Sequence, residues 1–124
     1  MQMNKIFTLA EANKRLPLVR KIVSDIHTKA ERFRSLVAHL KSGPPPNEAL
    51  ELQAEIEGLL GEIEDLGCFY KDWNFKIGLV DFPAIIDGDA VLLCWRSDEP
   101  EIRWYPGFED GYPGRKKIPD ELLK

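Results

Sequence analysis

From Leu9 to Leu40 the apolar positions fall at Leu9, Ala12, Leu16, Val19, Val23, Ile26, Ala30, Phe33, Val37 and Leu40, in steps that alternate three and four. That alternation is the a/d seam of a heptad repeat and predicts a long helix with one apolar stripe. A second seam, at Ala49, Leu52, Ile56, Leu59, Ile63 and Leu66, keeps the same rhythm. Between them Ser42-Gly43-Pro44-Pro45-Pro46 stops the first helix and is short enough to fold the second back on it. Two helices with facing seams predict an antiparallel helical hairpin, coiled-coil-like, over residues 8–66.

The ends of these helices carry their own signals. Thr8-Leu9-Ala10-Glu11 reads as a capping box, and Asn47 is placed to cap the second helix. Pro17 cannot donate to the helix and crowds the turn before it, so a kink or a new helix start is expected there. From Pro17 to Leu40 the first helix spans ~36 Å, against ~30 Å for the second. Part of the first seam is therefore left for something else to bury, either the rest of the chain or a second copy. Ile22 and Leu36 widen the stripe beyond a two-helix seam. Association through the helices into a homodimer is the expectation.

After Gly67 the period changes from 3.5 to 2, with candidate strands at 68–73, 79–86, 90–96 and 101–105. Asp87-Gly88 marks a two-residue hairpin. Pro83 argues for an edge or a bulge, and Val91–Trp95, apolar on both faces, for a central strand. Residues 106–124 are dense in turn formers and read as an ordered loop pinned by Phe108 and Tyr112. The fold class expected is α+β: one domain over 1–124, with a hairpin at 8–66, a small, mainly antiparallel sheet at 67–105 and a turn-rich tail.

Charge sharpens this picture. Residues 1–41 hold nine Lys and Arg against three acids, whereas residues 42–66 hold seven acids and no base. Neighbouring helices of opposite sign are expected to lie side by side. The acidic second helix and the net charge of −4 speak against nucleic acid as a partner. No run is long and apolar enough for a membrane span, and the first residues lack the apolar core of a signal peptide. Cys68 and Cys94 have no metal spacing, so a cytoplasmic protein with reduced thiols is expected, Cys94 as a buried structural thiol.

No catalytic signature, metal cluster or cofactor loop is written in the chain, and no cofactor is expected. His27 and His39 lie about 120° apart around a helix and read as solvated residues. The polar residues that stand out among apolar strands are Asp72, Asp81, Arg96 and Arg115, with Trp95 or Trp104 as a wall. A carboxylate at 81 and a guanidinium at 96 on adjacent strands predict either a structural pair across the sheet or a small polar site between sheet and helices.

Phe7-Thr8-Leu9-Ala10-Glu11-Ala12-Asn13, Leu16-Pro17, Gly67-Cys68, Lys71-Asp72, Gly78-Leu79-Val80-Asp81-Phe82-Pro83-Ala84, Leu93-Cys94-Trp95-Arg96, Glu99, Ile102, Trp104 and the 111–115 segment resemble a prokaryotic family. It is the one catalogued as domain of unknown function 2203. The resemblance covers nearly the whole chain and implies no activity. It implies a small cytoplasmic protein with a helical first half and motif residues gathered in the β half. Where that family usually has histidine after the second tryptophan, this chain has Tyr105. Function therefore rests on two expectations: a non-catalytic interaction module that self-associates, or a small-molecule site around Asp81 and Arg96.

Overall fold

A computed structural model describes residues 6–72, 75, 77–86, 88–107 and 111–118, with Ile86, Asp89, 104–107 and 111–117 described by backbone alone. Two helices, α1 (Leu9–Val37) and α2 (Asn47–Asp65), precede five strands: β1 (Phe69–Tyr70), β2 (Leu79–Ile86), β3 (Asp89–Arg96), β4 (Trp104–Gly107) and β5 (Gly111–Lys117). The strands pair antiparallel in chain order, β1-β2-β3-β4-β5, so the sheet is a simple meander with β3 at its centre. This is the expected α+β fold.

The capping box at the start of α1 is complete. The Glu11 N–H donates to Thr8 Oγ1 at 3.1 Å and the Thr8 N–H to Glu11 Oε1 at 2.9 Å. These bonds to Thr8 hold the Glu11 carboxyl below its ordinary value. The helix then runs through Pro17 without a break. The proline removes only the N–H that would have met the Asn13 carbonyl, and the apolar stripe holds its phase across it. α2 starts at Asn47 itself, not after it. Pro46 takes the cap position, its carbonyl accepting from the N–H groups of Ala49 and Leu50. At the other end Gly67, at φ 90°, closes a Schellman motif, with the Cys68 N–H on the Ile63 carbonyl and the Gly67 N–H on that of Glu64.

The charge asymmetry does lay the helices side by side. Lys29 meets Glu55 at 2.9 Å, and Arg32 grips Glu48 through two nitrogens at 3.0 and 3.2 Å. Inside, Ala12, Leu16, Val19, Val23, Ile26 and Ala30 of the seam are all buried, together with Ile22. Strand alternation supplies the other half of the core. Val80 lies opposite Trp95 and Phe82 opposite Leu93, all four fully buried in one cluster with the α1 seam. The sheet thus covers the first part of the seam that the hairpin leaves open.

Two strand details follow from proline chemistry. Pro83 sits past the end of β1, and its carbonyl accepts from Phe7 N–H at 2.7 Å on that free edge, so its missing N–H costs no ladder bond. Residues 106–117, expected as loop, are largely strand: β4 extends to Gly107 and β5 covers Gly111–Lys117. Turn formers hid them, because Pro106 falls at a register shift and Pro113 lies on an edge strand, where proline is tolerated. The expected pins, Phe108 and the Tyr112 side chain, and Trp73 of the first expected strand lie outside the described residues.

Candidate functional site

The polar cluster expected around Asp81 and Arg96 does not form a site between sheet and helices. With Val80 and Phe82 turned to the helices, Asp81 points to the opposite face of β2, where it is 8% exposed. Its ion partner is Lys71, Nζ to Oδ2 at 3.7 Å, not Arg96. Burial pushes the Asp81 carboxyl up, and the Lys71 ammonium opposes that shift. Arg96 lies one residue pair along on the same face, opposite Leu79, and its Nε donates to Asp98 Oδ1 at 2.6 Å. Asp72 closes a turn instead: its Oδ2 accepts from the Ile77 N–H at 2.6 Å and its carbonyl from that of Phe75. Trp104 stands opposite Cys94 by register and Arg115 lies in β5, but both side chains are outside the described part. Cys68 and Cys94 are both buried.

Trp95 is a wall of a different kind. Fully buried, it donates from Nε1 to the Glu99 carbonyl at 2.9 Å, while the Arg20 guanidinium sits 5.7 Å over its ring. Arg20 Nη2 also donates to the carbonyls of Pro100 at 2.8 Å and Glu99 at 3.2 Å. Glu99 Oε1 accepts from the Arg96 N–H at 2.7 Å, and Asn13 Oδ1 accepts from the Ile102 N–H at 2.8 Å. The 97–102 segment is therefore clasped to α1 by two residues seven apart on one helix face. In the sequence Arg20 is one of the nine Lys and Arg of residues 1–41, with nothing local to single it out. The available signal was its i, i+7 spacing from Asn13. Gly78 completes the join: a Cβ there would lie 2.6 Å from Val23 Cγ1 and 2.7 Å from Ser97 Cβ. The motif residues Asn13, Gly78, Trp95, Glu99 and Ile102 are thus those that bolt sheet to helix.

Further along the hairpin the arrangement changes. An open groove of about 610 Å³ lies between α1 and α2, floored by Ala30, Phe33, Ile56 and Leu60 and edged by Arg34, Gln53, Glu57 and Phe75. Phe75 stands in the left-handed region at φ 56° and stacks on Tyr70 at 5.5 Å. The Tyr70 hydroxyl is hydrogen-bonded to His27 Nε2 at 2.8 Å. His27 is therefore half-buried against β1, not a solvated residue. Burial lowers its pKa, with Arg34 adding to the effect and Asp72 opposing it; burial raises that of Tyr70. The groove offers apolar surface with a few polar groups at its rim, a composition suited to binding. Among the described residues no group of three or more His, Cys, Asp or Glu could hold a metal ion. No helix among them is long and apolar enough to cross a membrane.

Over residues 5–118 the chain matches the profile of the family described as uncharacterized conserved protein (DUF2203), and it belongs to that family. No curated protein matches it, and no solved structure does.

Proposed function

We propose that this protein is a non-catalytic interaction module that assembles with a second copy of itself through the open groove of its hairpin. The groove carries this reading. The seam that is buried as far as Ala30 continues through half-buried Phe33 and Val37 to Leu40, 42% exposed. A second copy brings the same unfinished seam, so the two apolar surfaces are alike and a closed symmetric pair can bury both. The same reading sets the protein in the prokaryotic cytoplasm, where free thiols stay reduced. Light scattering across a concentration series tests it. The expected mass is twice the 14.2 kDa of the chain, and Phe33→Asp returns it to one chain with unchanged helix content. A single-chain mass at every concentration overturns the reading.

A second reading has one observation in its favour. The strained Phe75 backbone, stacked on Tyr70, walls a groove whose volume falls within the ~300–1,000 Å³ of small-molecule pockets. Saturable binding of an anilinonaphthalene sulfonate probe to a single-chain species, lost in Leu60→Gln, would favour an apolar small ligand over a second copy.

A further inference from the structure

On other stripes of the same two helices lies a second, smaller cleft of about 380 Å³ that shares no residue with the groove. Its floor is apolar: Leu18, Ile22, Leu59 and Leu66. Leu18 is 48% exposed, unusual for a leucine that lines a cleft beside a buried Ile22. The walls are charged but not balanced. Lys21 is engaged by Asp25 one turn on, at 3.8 Å, while Glu62 and Asp65 form no ion pair among the described residues.

This contrasts with the far end of α2, where Glu48 and Glu55 are neutralised by Arg32 and Lys29. The imbalance also opposes the helix dipole. The last turn of α2 carries no basic residue, although the C-terminal end of a helix is its negative pole and favours cations. Glu62, Glu64 and Asp65 all crowd that pole. Local rules broken without internal compensation mark surfaces shaped for something outside the chain.

We propose that this cleft docks a cationic amphipathic helix of a partner protein. Its leucine-type side chains fill the floor between Leu18 and Leu59, and its lysines or arginines meet Glu62, Asp65 and the carbonyl end of α2. Helix-in-groove recognition of this kind reads apolar anchors at i, i+3 and i+4. The flanking charges fix which partner is accepted and speed its capture.

The test uses the full chain and a labelled synthetic peptide with leucines at helical spacing flanked by lysines, followed by fluorescence anisotropy. Binding is expected, weakening as salt rises. The double variant Glu62→Gln/Asp65→Asn, altered only at exposed positions, is expected to bind about tenfold more weakly, since two rim pairs of ~0.7 kcal/mol each amount to that. Leu18→Asn weakens binding with the charges intact. A matched peptide with glutamates in place of the lysines should not bind. Equal binding of the two peptides, or an unchanged constant in the double variant, overturns the proposal. So does a self-associated wild type that the double variant dissociates while the lysine peptide fails to bind, because the occupant is then a second copy. Phe33→Asp separates this site from the groove: it halves the mass there and leaves peptide binding here untouched.

Discussion

The two ends of the helical hairpin are built from the same seam and finished differently. Near the start of α1 the stripe is sealed by a sheet and tied by side chains that reach 79 to 89 residues along the chain, Arg20 to Glu99 and Asn13 to Ile102. Toward the loop, the helices meet chiefly each other, through exposed ion pairs and an open groove. At 1.5 Å per residue α1 is ~43 Å long and α2 ~28 Å. An identical repeat can thus be core at one end and surface at the other. The difference is set by what the rest of the chain places over it.

The largest effect that would break this comparison lies at the sealed end. Trp95→Ala removes a fully buried side chain that spans the core and anchors the 97–102 segment, and is expected to cost about 3–5 kcal/mol in urea unfolding. Phe33→Ala, at the open end, should cost well under half of that; equal losses would mean that the two ends are finished alike. A smaller effect comes from the clasp. Arg20→Met keeps the stem but loses both carbonyl bonds and the charge over the Trp95 ring, for about 1–2 kcal/mol. Little change in stability would reduce the clasp to a surface contact.

The smallest concerns the join between the two regions, His27 on Tyr70. Burial depresses the His27 pKa in the fold, so the unfolded chain binds more protons just below pH ~6.5. Its contribution to stability is therefore complete above that pH and is lost as pH falls toward the lower, folded value. His27→Gln should flatten that part of a pH series of melting midpoints. A slope unchanged in the variant would place the proton uptake elsewhere.

Much of the architecture was legible in the chain because it is local. The seams, the capping box, the Gly67 stop, the Gly88 turn and the opposite helix charges are each written within a few residues of where they act. The candidate sites were less legible. Asp81 and Arg96 stood out as polar residues in apolar strands, yet strand parity turns both away from the helices, and each found a nearer partner, Lys71 and Asp98. His27 looked solvated because its hydrogen-bond partner lies 43 residues away. The groove was half visible: unequal helix lengths announced an uncovered seam, but only the position of the sheet says which part stays open.

The meander order of the strands bears on how the chain comes together during synthesis. Each strand pairs with its neighbour in the chain, and α1 packs on α2, so these pieces can form as they leave the ribosome. The ties from Asn13 and Arg20 cannot close until residues 99–102 have emerged. Until then the first helix waits with the sheet side of its seam bare. A surface that stays bare until the sheet has emerged thus becomes core in the finished fold.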